Sequence, residues 1–423
     1  MSYSSKRQNA ASHPRYFEAD NDGWLGAEVK KPFRLYYLAS TLSFVLFVPP
    51  EGLAYTSLSS VRNAWWALLF LNCGVLLLVY VAQSCLGKGK RLDSVFIFAL
   101  LTCMPLCFFT FANDGSWLQL LKKITFFMGP WLYLAVFGEY GFKPLLKSML
   151  LGSLFIVSVN ALSIALMYSH GSFRPQYGDT WLFGQRTFMR NFLYPTLLFC
   201  MLEDRLRGKR FSLLTLAVVA VSLYSVIVGD AMTTLVVLIV MLLCVVLSWQ
   251  GLRETPIFRV FLYAAVILDA ILVHLRKIEI FQSFIEDVLN RNMTLSYRTQ
   301  AWDIAIDWIS EMPLEGTGFN NLDESGIVVG FGKALSNVHN QILDVWFKGG
   351  VLALAFFGAL VARCVSPIFK RSHLWAAFAI GIVLGGFFIE AVVSEVWYPQ
   401  FYLLLYLSAY LKQWAYLFEK EGA

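Results

Sequence analysis

Charge is scarce in this chain. Asp, Glu, Lys and Arg make up 15% of its 423 residues and hydrophobic side chains 58%. A soluble domain carries about 25% and roughly 45–50% respectively, so a soluble globular protein is excluded. The seven cysteines all lie in or beside hydrophobic runs, and no CxxC occurs. That argues against a disulfide-stapled outer domain and against a zinc site. The first 31 residues are polar and charged and lack the short apolar run of a cleavable signal peptide. No P-loop is present. There is no six-plus-six repeat and no long central cytoplasmic loop, which weighs against the rival reading, a transporter of lipid-linked glycans. The net charge of +6 is scattered among short loops, so no nucleic-acid partner is expected.

What remains is long hydrophobic segments. A crossing helix needs about 20 apolar residues. On that measure the chain reads as an all-α polytopic membrane protein of about twelve spans. Their centres fall near Phe44, Val75, Cys103, Trp131, Val157, Leu197, Val219, Val240, Ala265, Phe356, Ile382 and Leu404. The run from Leu213 to Gln250 is too long for one crossing, and we split it at Gly229-Asp230. Lys and Arg favour one set of loops over the other by 22 to 12. The more basic side is cytoplasmic, which puts both termini inside. The expected layout is a cytoplasmic tail over 1–32, nine spans over 33–275 with an outer loop near 169–190, a periplasmic loop over 276–342, three spans over 343–412, and a tail over 413–423. In a Gram-negative cell the expected location is the inner membrane, with the polar loop, and any chemistry it does, facing the periplasm.

Only one long polar stretch interrupts the spans, from Arg276 to about Lys348. Ile280 to Leu289 repeats at helical spacing. A second helix is expected from Leu295 to Met312, stopped by Pro313. On its projection Arg298 shares a face with Trp302, Ala305 and Ile309, while Asp303, Asp307 and Glu311 lie opposite. An arginine on an apolar face either snorkels or points into a protein pocket. A Gly-rich loop follows, and the stretch ends at His339-Asn340, where the next span begins.

His339 is one of five histidines and is a candidate general base, with an ordinary pKa of about 6.5. A structural histidine at a helix mouth is the plainer alternative. Arg298 is a candidate phosphate clamp or an interfacial anchor. Arg186 and Arg190, in the loop after the fifth span, are candidate substrate-binding residues; contact with lipid headgroups is their plainer reading. Asp230, Asp269 and Glu390 lie in or near spans, where ionisable groups are functional suspects. His170, His274 and His339 have no spacing that supports a metal site. Trp181, Tyr177 and Phe183 are candidates for stacking on sugars.

These residues carry a family resemblance. His339-Asn340, then nine residues and Gly350, resembles the His-Asn-x9-Gly motif of the O-antigen ligase and polymerase family. Ser296 to Trp302 resembles its Ser-x-Arg-x-x-x-Trp helix. Pro313-Leu314-Glu315-Gly316-Thr317-Gly318 resembles its Pro-x-x-Gly-x-Gly turn. The resemblance implies a GT-C-type, metal-independent glycosyltransferase without a cofactor, acting on undecaprenyl-pyrophosphate-linked glycan among membrane lipids. It allows a chain-length regulator protein as a partner. It implies that His339 activates the acceptor hydroxyl, that Arg298 contacts the pyrophosphate, and that Asn340 belongs to the substrate site. Ligases of this family carry an arginine at the tip between the seventh and eighth spans, where this chain has Met232. Arg190-Asn191 resembles a Lys-Asn pair in exopolysaccharide polymerases. A polymerase is therefore favoured, with O-antigen ligase as the alternative.

Overall fold

The structure is a computed structural model that describes residues 34–86, 93–167, 180–248, 257–275, 298–319, 328–329, 333–334 and 338–418. In chain order its helices are α1 (Arg34–Leu46), α2 (Ser59–Cys85), α3 (Ser94–Ala112), α4 (Trp117–Phe137), α5 (Phe142–Met167), α6 (Arg190–Leu206), α7 (Leu213–Val228), α8 (Met232–Ser248), α9 (Ile257–Asp269), α10 (Arg298–Glu311), α11 (Gln341–Lys370), α12 (Trp375–Ala391) and α13 (Pro399–Ala409). Among the described residues the only strands are two short antiparallel pairs. Thr180–Trp181 pairs with Gly184–Gln185, and Val328–Val329 pairs with Lys333–Ala334. The second pair falls in the Gly-rich segment, where the sequence predicts a loop. The expected helix over 280–289, and Tyr177, lie outside the described residues.

Each of the twelve expected span centres lies inside a helix. Among the described residues six helices are long and apolar enough to cross a membrane, and α7, α8 and α12 are shorter apolar helices. The fold is that of an all-α multi-pass membrane protein. The run from Leu213 does divide at Gly229-Asp230, where Asp230 adopts φ 51° and turns α7 into α8. Helix starts follow local chemistry. Asp93 and Ser212 accept from the amides of Phe96 and Thr215, which satisfies donors that a helix start leaves unpaired.

Burial divides the helices into two classes. α2 exposes Leu68, Leu71 and Leu78, the apolar surface a hydrocarbon phase requires. α6, α12 and α13 are buried along most or all of their length. These three central helices and the broken α11 position the polar end of the bundle.

α11 is broken at Gly350, whose φ of 67° and ψ of −177° interrupt the helix. A break frees carbonyls that must find donors. The turn after α10 supplies them. The Thr317 and Gly318 amides donate to the Phe347 and Lys348 carbonyls at 2.8 and 2.9 Å, and the Val351 amide donates to the Pro313 carbonyl at 3.2 Å. The fit tolerates no side chains: a Cβ on Gly316 would lie 2.3 Å from the Lys348 carbonyl oxygen, and one on Gly350 would lie 2.3 Å from that of Leu314. The Pro-x-x-Gly-x-Gly turn and Gly350 are thus two halves of one joint. α3 and α4 hold its other side, where Asn113 Nδ2 donates to the Gly316 carbonyl and the Ser116 amide to that of Phe319.

Candidate active site

α10 packs as its periodicity predicts. Trp302, Ala305 and Ile309 are buried against Val338, Leu343 and Phe347, while Asp307 and Glu311 are exposed and Asp303 is half-buried. This seats the helix beside the residues that precede α11 and sets Arg298 at its first turn, half-buried.

His339 stands at the mouth of α11 with φ 56°, in the left-handed region that non-glycine residues seldom occupy. Both neighbours hold it there. On one side the Val338 amide donates to Asp344 Oδ1 at 3.3 Å. Asp344 is fully buried and itself fixed by Lys348 Nζ on Oδ1 at 2.6 Å and by Trp397 Nε1 on Oδ2 at 2.7 Å. On the other side Asn340 caps α11. Its Oδ1 accepts from the Leu343 amide, and its Nδ2 donates to Asp269 Oδ1 at 2.6 Å and to the Val392 carbonyl at 3.0 Å. Asn340, expected to belong to the substrate site, is buried with both ends of its amide engaged in the cap. A strained backbone held from both sides is a feature of functional positions.

The imidazole is 45% exposed, and its Nδ1 lies 3.6 Å from Oε2 of Glu395, whose side chain is 7% exposed. Burial holds the His339 pKa below the ordinary imidazole value; Glu395 and Asp344 oppose that shift, and the positive charges of Arg298 and Lys348 add to it. The ring is therefore neutral near pH 7 and able to accept a proton. Lys123, from α4, shares this electrostatic neighbourhood with Glu395, Lys348, Asp344 and Glu51. Among the described residues no three His, Cys, Asp or Glu side chains gather as metal ligands do.

The other expected site residues are placed differently. Arg190 is buried, not at a headgroup surface. Its Nη1 donates to Glu390 Oε2 at 2.5 Å, and its Nη2 to Ser394 Oγ at 2.8 Å and to the Glu395 carbonyl at 3.3 Å. Tyr194 Oη donates to the other oxygen of Glu390 at 2.6 Å. Arg186 pairs with Asp230 at the α7–α8 tip, with both side chains exposed. That puts a guanidinium at the tip bearing Met232. Trp181 and Phe183 are buried, with too little free face for a sugar to stack on. Asp269 is drawn into the Asn340 cap, just before a single π-turn over Ala270–His274.

Glu395, Lys123 and Lys348 were missed in the sequence. Lys123 and Lys348 are ionisable groups inside apolar helices, the same signal that marked Glu390. Lys348 also sits four residues after Asp344, the spacing of a helical ion pair.

Fold and site together define a multi-pass membrane protein with a set of charged side chains at one end of the bundle, around a half-exposed histidine. The family model described as O-antigen ligase matches residues 206–358, so that part of the chain is similar to the O-antigen ligase family. The match takes in α7 to α10, His339, Asn340 and Gly350, and ends before Glu395. No curated protein and no solved structure matches the chain.

Proposed function

We propose that the protein is a GT-C-type polysaccharide polymerase of the inner membrane. It transfers a glycan from undecaprenyl pyrophosphate to a hydroxyl of the next lipid-linked repeat unit, at the periplasmic face and with no metal. One observation carries the reading: a half-exposed imidazole on a clamped left-handed backbone, its pKa lowered by burial and by the charge of Arg298. The sugar–pyrophosphate bond is already activated, so the chemistry needs a base for the acceptor and a cation for the leaving group. His339 takes the acceptor proton as the hydroxyl oxygen bonds to the anomeric carbon. Arg298 stabilises the charge that builds on the departing pyrophosphate. The spans hold the polyprenyl tail. A chain-length regulator protein is a fitting partner for such an enzyme.

Polymerase is preferred to ligase because the α7–α8 tip carries Met232, exposed, where ligases of the family carry arginine. Arg186, paired with Asp230 beside it, is the candidate to meet substrate there. Arg190 is assigned a positioning task, since its guanidinium is committed to Glu390 and Ser394.

The glycan banding of a deletion strain tests the assignment. A polymerase predicts loss of long chains with a single repeat still attached. Loss of all attachment would make the protein a ligase. Arg298→Lys should restore little of the activity that Arg298→Ala loses, because lysine keeps the charge but not the planar fork; full rescue would refute bidentate binding.

A further inference from the structure

The segment after α12 is stitched to the start of α6 and to the mouth of α11 at successive residues. Ser394 is held by Arg190, the Val396 amide donates to Gln341 Oε1 at 2.6 Å, and Trp397 donates to Asp344. Glu395 lies between these stitches, and its own carbonyl accepts from Arg190. Its side chain is therefore set by its neighbours rather than free to choose a partner. Yet its buried Oε2 has no hydrogen bond. A buried acceptor left unmet is costly and uncommon. His339 Nδ1 lies 3.6 Å from it.

We infer that Glu395 is the positioning carboxylate of His339, accepting a hydrogen bond from Nδ1–H and leaving Nε2 as the nitrogen that meets the acceptor hydroxyl. This rests on His339 being the base. A contact of 3.6 Å is longer than a hydrogen bond, and such contacts commonly tighten when substrate engages. The hydroxyl proton passes to Nε2 while its oxygen forms the bond to the anomeric carbon. The bond from that carbon to the pyrophosphate oxygen breaks, and its electron pair leaves with the pyrophosphate. The imidazolium so formed has Glu395 behind it. A carboxylate there fixes the tautomer and the ring plane and stabilises the charged ring, as the aspartate of a Ser-His-Asp triad does. The charged groups facing His339 are Arg298 on α10, Asp344 and Lys348 on α11, and Glu395 itself, with Lys123 on α4 beyond it.

The test uses purified enzyme and synthetic lipid-linked repeat units, with wild type, His339→Ala, Glu395→Gln, Glu395→Asp and the double variant His339→Ala/Glu395→Gln. Glu395→Gln should lose about tenfold or more in kcat at unchanged KM, and Glu395→Asp should restore part of it. The acid limb of the Glu395→Gln kcat profile should move to lower pH, because the ring has lost a negative neighbour. The double variant should be no slower than His339→Ala, since the carboxylate acts only through the ring. Wild-type kcat and an unmoved limb in Glu395→Gln, or losses that multiply in the double variant, would overturn the assignment. If Glu395→Gln does not fold, Glu395→Asp decides: unchanged kcat there overturns it, and a lower kcat at unchanged KM supports it. An active His339→Ala would instead refute the base itself.

Discussion

Two charge pairs lie close together in this protein and differ in how completely they are satisfied. Arg190 and Glu390 are each 1% exposed and meet at 2.5 Å, with Tyr194 and Ser394 completing the set. His339 and Glu395 stand 3.6 Å apart, one of them 45% exposed, with a carboxylate oxygen unmet. The first pair is sealed between α6 and α12. Desolvating two charges is repaid only by close pairing and added hydrogen bonds, and breaking a pair of this kind leaves a bare buried charge. The second pair keeps a half-exposed ring and an acceptor oxygen without a hydrogen bond. The first cluster leaves only Arg190 Nε unmet and is sealed from solvent, so its work is structural; the second, at the surface, can react.

The comparison predicts that damage to the two pairs shows in different measurements. His339→Ala should lower turnover by about 10²–10⁴, the worth of a positioned base, with the unfolding midpoint in detergent unchanged. A matching loss of stability would make His339 structural instead. Glu390→Gln should cost about 3–5 kcal/mol of stability by stranding Arg190, read as a lowered unfolding midpoint, while the turnover of the folded fraction stays near wild type. Unchanged stability there would show that the sealed pair does not hold α6 to α12. Gly350→Ala should cost about 1–3 kcal/mol, since its methyl group would press on the Leu314 carbonyl and its φ is positive. It should also displace the α10 turn, detectable as faster protease nicking near Pro313.

The smallest effect is a pH shift. Burial and the Arg298 charge hold the His339 pKa below its usual value. The ring therefore stays neutral, and the base competent, to lower pH than a free imidazole. The acid limb of kcat/KM should have its midpoint below about 6.5, and Arg298→Gln, by removing a positive neighbour, should raise that midpoint. A limb that moves downward in Arg298→Gln would contradict the electrostatic account.

Much of the fold was legible because membrane helices declare themselves locally. Length and apolarity located every helix centre from Phe44 to Leu404, and the period of α10 gave its buried face from Trp302, Ala305 and Ile309 alone. The glycine pattern of 313–318 was visible, but its meaning was not. Only the structure shows Gly316 and Gly318 lying against a break at Gly350, because that fit joins backbone segments more than thirty residues apart. The site was half legible for the same reason. His339 and Arg298 stand in local motifs. Glu395 and Arg190 act across the chain, and nothing in the residues around Glu395 says that its side chain reaches a histidine at another helix mouth. The motif at Asn340 did not show that its amide bonds to Asp269, Val392 and Leu343. The α7–α8 tip was read as lacking its arginine at Met232; Arg186, already a candidate in the sequence, is paired with Asp230 at that tip.

The central claim is that the open histidine transfers a proton rather than merely binding substrate. Turnover of purified His339→Gln on synthetic lipid-linked repeat units tests it directly. Glutamine keeps a hydrogen-bonding side chain at the mouth of α11 but cannot take a proton at neutral pH. The account predicts activity nearly as low as that of His339→Ala, with folding intact. A His339→Gln enzyme within about tenfold of wild type would contradict it.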